Sequence, residues 1–386
     1  MNLGFYTILL AQFLSALADN ALLFAAIALL EAMQVPDWHT PLLQEFFVIS
    51  YIVLAPFVGS FADAYPKGRV MFVSNAIKFV GSMAMLLGMP PLYAYGIVGI
   101  GAAAYSPAKY GILTEYLPPH MLVKANGWME GSTVLAIILG AILGGKLAGI
   151  SPQLAILAIT ALYLAAAAFN IYIPKLPIDH KLLRKNPFYM LTDFWHSLKV
   201  LWRDIQGQIS LAVTTLFWGA GATLRLIVLI WAKSALDFGL EHATWLTATV
   251  AVGIAGGSLV AARYVKLEDS IKVLPAGIIM GLLVMAMVLV HDWRIACGLL
   301  FFIGILSGYF VVPLNALLQH RGHILIGAGH SIAVQNFNEN LGILVLIGVY
   351  TMMVRADISI NIIVLTFGLF VSLSMSGIYR LYRNQR

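Results

Sequence analysis

The sequence predicts an all-α membrane protein of about twelve transmembrane helices, arranged as two pseudo-symmetric six-helix bundles. Composition is the first observation behind this reading. Of 386 residues, 61% are hydrophobic and only 10% charged, with a mean hydropathy of +0.89. A soluble domain carries about 45–50% apolar and about 25% charged residues, so a water-folded core could not hide this much apolar surface. Length is the second. A bilayer-spanning helix needs about 20 mostly apolar residues, which leaves room for about twelve with short connections and for no large soluble domain. The third is a weak internal repeat at near-constant offset. Phe13-Leu-Ser-Ala-Leu-Ala-Asp19 lies 204 positions before Phe217-Trp-Gly-Ala-Gly-Ala-Thr223. Gly99 through Pro107-Ala-Lys109 lies 205 to 206 positions before Gly304 through Pro313-Leu-Asn315. Parallel six-helix repeats around a midplane cavity are the build of transporters that rock one half against the other.

The elements follow in order. The chain enters an apolar run near Tyr6 with no basic n-region and no cleavage site, and the run is too long for a signal-peptide core. It is expected to stay as the first helix, 5–33, ending before Pro36. Pro41 precedes the second, 42–62; the third, 70–90, stops at Pro90-Pro91; the fourth, 92–116, stops before Pro118-Pro119. The fifth covers 122–145, and Ser151-Pro152 opens the sixth at 152–174. A long polar stretch, 175–207, holds Lys175, Lys181, Arg184, Lys185, Lys199 and Arg203. It divides an N-terminal bundle (1–174) from a C-terminal one (208–386), whose spans fall at 208–233, 244–263, 271–290, 294–318, 326–354 and 358–380.

Charge fixes the orientation. With a cytoplasmic N-terminus, the inner loops and C-terminal tail, to Arg386, hold sixteen basic residues and the outer loops four: Lys146, Lys233, Arg294 and Arg355. The positive-inside bias therefore puts both ends in the cytoplasm, and the net charge of +6 is a membrane signal rather than a nucleic-acid one. The single cysteine, Cys297, excludes a disulfide framework and any multi-cysteine metal site, and no His-Glu-x-x-His pair occurs among nine histidines. No catalytic residue, metal ligand or cofactor is expected. The His-x4-Asp pair that membrane acyltransferases often use is absent after all nine histidines.

Charged side chains inside spans cost at least ~2.5–3.5 kcal/mol on insertion scales, so each should face protein or a wet cavity. Asp19 lies about 21 Å into the first helix at 1.5 Å per residue, near the bilayer centre. It shares a helix face with Gln12 and Ser15. Arg225 occupies the matching depth of the seventh span, which makes it a partner for Asp19, either as a structural brace or as a cavity pair that exchanges partners. Lys78, Lys109 and Glu130 lie at equal depth nearer the cytoplasm and are expected to form one charged layer, with inter-helix bracing as the alternative. Pro107 and Pro313 remove backbone donors at equivalent depths and would bend their helices. The eleventh span carries Ser331, Gln335, Asn336, Asn338, Glu339 and Asn340, which exceeds interhelical glue and predicts a cavity wall. The pairs Gly140/Gly144 and Gly145/Gly149 mark close packing, and His320 and His323 are expected in a solvated loop.

Two resemblances rest on longer motifs. Gly59-Ser-Phe-Ala-Asp63-Ala-Tyr-Pro-Lys67-Gly-Arg69 resembles the signature loop of the major facilitator superfamily, which implies that Gly59, Asp63, Lys67 and Arg69 latch an inner gate. Gly131-x8-Gly140-x3-Gly144 is similar to the fifth-helix motif of that superfamily's proton-coupled exporters. More specific are Ala11-Gln-Phe-Leu-Ser-Ala-Leu-Ala-Asp19-Asn20, Tyr105-Ser-Pro107-Ala-Lys109-Tyr110-Gly, Val312-Pro313-Leu-Asn315 and Ala333-Val-Gln335-Asn336. These resemble the LplT family of bacterial lysophospholipid transporters over nearly the whole chain. The resemblance implies a major facilitator fold that flips lysophospholipids, chiefly lysophosphatidylethanolamine, across the bacterial inner membrane. An acyltransferase–acyl carrier protein synthetase would then reacylate the cargo. A zwitterionic head group needs an anion for its ammonium and a cation for its phosphate; Asp19 with Arg225 or Lys109 supplies both. The alternative is a proton-coupled exporter of drugs or small amphiphilic metabolites.

Overall fold

The computed structural model describes residues 2–35, 39–177 and 186–383. Pro36, Lys181, Arg184, Lys185 and Arg386 lie outside the described residues. Within them are thirteen α-helices, three short 3-10 turns and no strand. The helices are α1 (Leu3–Ala32), α2 (His39–Ala64), α3 (Lys67–Leu86), α4 (Pro91–Tyr116), α5 (Leu122–Ile150), α6 (Pro152–Ile171) and α7 (Pro187–Arg203). They continue as α8 (Ile205–Leu236), α9 (Leu240–Tyr264), α10 (Leu274–Ala286), α11 (Trp293–Ile326), α12 (Ala328–Arg355) and α13 (Ile360–Arg383).

Local chemistry sets the ends. Asn2 caps α1 by accepting from the Phe5 N–H at 3.2 Å, and Ser151 caps α6 with Pro152 in its first turn. Asp204 caps α8, its Oδ2 accepting from the Gly207 N–H at 2.9 Å. Asp237 ends α8 in the left-handed region.

Eleven segments among the described residues are long and apolar enough to cross a membrane. The remaining predicted span, the fourth, is α4; it has the length, 26 residues, but is diluted by glycine, alanine, tyrosine and Lys109. Every residue from Gly101 to Lys109 is buried in protein, so that stretch is packed against neighbouring helices and has little need of apolar bulk. The thirteenth helix, α7, corrects the sequence reading, which treats 175–207 as polar linker. Its apolar arc is wider than its buried face: Phe194 and Leu201 are buried, while Phe188, Leu191 and Trp195 stay exposed beside Lys199 and Arg203. Phe194 and Trp195 both stack edge-on against Phe337 of α12, at 5.4 and 6.1 Å.

Two compact units divide the chain. The first comprises Met1–Pro118, Leu135–Leu201 and Gly322–Phe337. There α4 packs on α2 and α3, and α6 on α1 and α3, around a core of Ala18, Leu22, Ala25, Val98, Ile156 and Tyr163. The second comprises Pro119–Val134, Trp202–Arg321 and Asn338–Arg386. In it α13 packs on α8 and α10, and α8 on α9.

Within the first unit the α1–α5 contact is made by small residues. A Cβ on Gly140 would meet Leu17 O at 2.9 Å and Asn20 Cβ at 2.8 Å, and one on Gly144 would collide with the Ala21 backbone. Gly145 and Gly149 have nothing within 4 Å, so the second expected packing pair is not one. The contrast predicts opposite signs. Gly144→Ala should destabilise by about 1–3 kcal/mol through overpacking. Gly145→Ala should stabilise by up to about 1 kcal/mol through helix propensity. Thermal unfolding of the two variants in detergent checks both; equal shifts would refute the packing assignment.

Candidate functional site

In the first unit, Asp19 finds its partner on α3. Its Oδ2 lies 2.6 Å from Lys78 Nζ, and its Oδ1 accepts from the Tyr163 hydroxyl at 2.8 Å. Lys78 also donates to Ser15 Oγ at 3.0 Å, and Ser15 donates in turn to Asn75 Oδ1 at 2.7 Å. The ammonium lies over the Tyr105 ring, 4.8 Å from its centroid. A buried ammonium is tolerable only when charge and donors are matched in this way. The two charges are not equally hidden: the Lys78 side chain is 1% exposed and that of Asp19 is 20%. Asp19 is therefore the member that a ligand can reach.

This replaces the expected Asp19–Arg225 pair. Arg225 belongs to the second unit, exposed on α8. Of the expected charged layer, Lys78 pairs with Asp19, and Glu130 is buried within the second unit. Lys109 remains in the first, buried, with its Nζ 4.5 Å from the Tyr110 ring centroid. Asn20 turns back on its own helix, donating to Ala16 O at 2.8 Å.

The polar face of α12 is buried along Ser331, Gln335, Asn338 and Glu339. Asn336 and Asn340 are partly covered, and Asn336 donates to Ser106 Oγ at 2.9 Å, next to Pro107 inside α4. In the second unit Asn315 is buried two residues after Pro313 on α11. Four residues further on, Gln319 exchanges reciprocal hydrogen bonds with Asn126, at 2.8 and 2.9 Å.

The signature loop builds a second cluster in the first unit. Asp63, at the end of α2, has four hydrogen-bond contacts. Oδ1 takes Lys67 Nζ at 2.9 Å and the Gly329 N–H at 2.7 Å. Oδ2 takes the His330 N–H at 3.0 Å and His330 Nδ1 at 2.7 Å. The two N–H groups are unpaired donors at the first turn of α12, where the helix dipole favours an anion. Gly327 makes the turn from α11 with φ +96°, and a Cβ on Gly329 would sit 2.7 Å from Asp63 Oδ1. Gly59 allows the same approach, since a Cβ there would lie 3.0 Å from His330 Cα. Lys67 also reaches Glu115 at 2.9 Å. Arg69, expected in this latch, is instead exposed and makes no ion pair among the described residues.

Sequence reasoning missed the residues that complete the cluster. His330 Nε2 lies 3.0 Å from Asp193 Oδ2 of α7 and 3.1 Å from Ser60 Oγ. The hydrogen bond from His330 holds the Asp193 carboxyl below the ordinary carboxylate range. The available signal was Gly327-Ala-Gly-His330 opening a polar helix. In the second unit Arg321 pairs with Asp204, its Nε 3.1 Å from Oδ2. Burial pushes the Asp204 carboxyl up, but hydrogen bonds from Arg321 and the Gly207 N–H outweigh it and hold it below its usual value. His320 and His323 are not in a loop, because α11 runs through both.

Residues 8–346 match the family model of the Major Facilitator Superfamily. The chain is 46% identical over 380 residues to the lysophospholipid transporter LplT of Enterobacter sp. (strain 638), covering 97% of this chain and 95% of that one. It is 48% identical over 350 residues to the LplT of Serratia proteamaculans (strain 568), covering 90% and 88%. Among solved structures, the human organic anion transporter MFSD10 (TETRAN) superposes with a TM-score of 0.78 at 13% identity, over 99% of this chain and 100% of that one. A bacterial homologue of the iron transporter ferroportin superposes with a TM-score of 0.76 at 14% identity, over 98% and 99%. Identity that low speaks for the fold alone. Nearly one residue in two shared along almost the full length speaks for descent, and the chain belongs to the LplT family of the Major Facilitator Superfamily.

Proposed function

We propose that this protein moves lysophospholipids, chiefly lysophosphatidylethanolamine, across the bacterial inner membrane to the cytoplasmic leaflet by alternating access. The observation that carries the reading is 46% identity over 97% of the chain to a relative named as a lysophospholipid transporter. The site chemistry supports it. A partly open Asp19 carboxylate, held by Lys78 and Tyr163, is an acceptor for the head-group ammonium, and Lys109 in the same unit is a cation for the phosphate. The chain works as a carrier without covalent chemistry. Reacylation falls to a separate acyltransferase–acyl carrier protein synthetase. Both termini are cytoplasmic, on the bias of sixteen basic residues inside to four outside. The N-terminal and C-terminal halves of the sequence are the moving bundles, and the Asp63 cluster is the latch of the inner gate.

Reconstitution tests the assignment. Liposomes containing the protein should flip labelled lysophosphatidylethanolamine well above the protein-free rate and leave diacyl phosphatidylethanolamine near it. Flip rates equal to protein-free liposomes would refute the cargo. Equal flux of mono- and diacyl lipid would refute the single-chain groove.

A further inference from the structure

Both ring nitrogens of His330 face carboxylates, Nδ1 at 2.7 Å from Asp63 and Nε2 at 3.0 Å from Asp193. A neutral imidazole has one N–H and one lone pair, whereas an ionised carboxylate only accepts. With a neutral ring, one nitrogen lone pair would point at a carboxylate lone pair at hydrogen-bond distance. Ser60 could donate to Nε2, but Asp193 would still face that nitrogen unscreened. The proton does not sit on Asp63, whose two oxygens already accept from Lys67 Nζ and from the Gly329 and His330 backbone N–H groups, the ring aside. Between Asp193 and the ring, the imidazole is ordinarily the stronger base, and Asp193 is partly exposed, so the shared proton belongs on the ring nitrogen. The arrangement is complete only with both ring nitrogens protonated. The other charged and titratable groups around it are Lys67 of α3, Glu115 of α4 and His196 of α7. Lys67 neutralises one carboxylate of the Asp63–Glu115 pair, and the imidazolium neutralises one more of the three.

We propose that His330 is a proton-binding site of the transport cycle, loaded when the Asp63–His330–Asp193 cluster is assembled and emptied when it parts. On parting, one ring nitrogen loses its carboxylate and meets water. The imidazolium then gives its proton to that water and becomes neutral imidazole. The sign follows directly. The assembled cluster needs the proton, so it is favoured at low pH and weakened as pH rises past the point where His330 lets go. The superfamily loop supplies Asp63; what this chain adds is a histidine in the first turn of α12 and an aspartate on α7 that grips its far side. That parting of the cluster opens the inner gate rests on the reading of the chain as an alternating-access transporter.

The test reads the gate without cargo. Spin labels are placed at exposed Tyr65, beside Asp63, and exposed Ile324, before α12, in a Cys297→Ser background of the full-length protein in lipid nanodiscs. The separated population in the inter-label distance distribution should grow with pH, by up to about tenfold per unit at its steepest for one proton. His330→Gln should make it flat. Asp193→Asn, at a partly exposed position that folding tolerates, can leave Nε2 unprotonated and should move the transition to lower pH. A wild-type distribution that ignores pH would overturn the proposal, as would an unchanged transition in His330→Gln or in Asp193→Asn. Lysophosphatidylethanolamine flux is measured on the same preparations. A pH-dependent gate without lipid flux would sink the cargo assignment and leave the proton site standing. Lipid flux with a pH-blind gate would do the reverse.

Discussion

Asp19→Ala is expected to abolish most transport and to destabilise the protein by about 3–5 kcal/mol, the usual cost of leaving a buried charge without its partner. The reason is Lys78. Its side chain is 1% exposed, with the ammonium 2.6 Å from the carboxylate it would lose, and Ser15 and two aromatic rings cannot balance a full charge by themselves. Asp19→Asn with Lys78→Met separates the two roles of the pair. Removing both charges should restore the unfolding temperature close to wild type, because no charge is stranded. Transport should stay absent, because the ammonium acceptor is gone. Recovery of flux in the double variant would make the pair a structural brace and move head-group recognition elsewhere.

Asp63→Ala should act on conformation rather than on cargo contact. It removes the acceptor of four hydrogen bonds, two from charged side chains and two from the start of α12. Bonds to charged groups contribute about 1.5–3 kcal/mol each, so losing the cluster should cost the latched state about 3 kcal/mol or more, on the order of a hundredfold in its population. The distance distribution between labels at Tyr65 and Ile324 reads this directly. Loss of flux with an unchanged distribution would contradict the gate assignment. Asp63→Asn should fall between, since an amide keeps one acceptor oxygen but no charge.

How much of this was legible beforehand depends on whether a feature is local. The spans were, because about twenty apolar residues between prolines define a helix without reference to its neighbours. The buried polar face of α12 was legible too, since six polar residues in ten have few other places to go in lipid. Pairings were not. Helical periodicity puts Asp19, Ser15 and Gln12 on one face but does not say which helix lies opposite, and pseudo-symmetry pointed to Arg225 where packing supplied Lys78, 59 positions away. Depth grouped Lys78 with Glu130 and Lys109, but depth does not show that Lys78 pairs with Asp19 of α1. A single turn of sequence around Arg69 matched a familiar pattern, yet that side chain points outward while His330, from the far end of the chain, completes the cluster. The amphipathic α7 was hidden because the four basic residues just before it, Lys175, Lys181, Arg184 and Lys185, made the whole stretch read as a polar linker.

The dilution of α4 has a consequence for how the protein is made. On insertion scales a central lysine costs about 2.5–3.5 kcal/mol and each leucine or valine returns only a few tenths. A helix rich in glycine and alanine that also carries Lys109 and Glu115 is thus a poor client for direct release from the translocon into lipid. The helices it packs on most within the unit, α2 and α3, with α1, precede it in the chain and are already in the membrane when it emerges. Biogenesis then has an order built into it: α4 enters against a protein surface rather than against acyl chains. Damage to α2 or α3 would surface first as a misplaced fourth helix in the nascent chain, before any effect on the finished transporter.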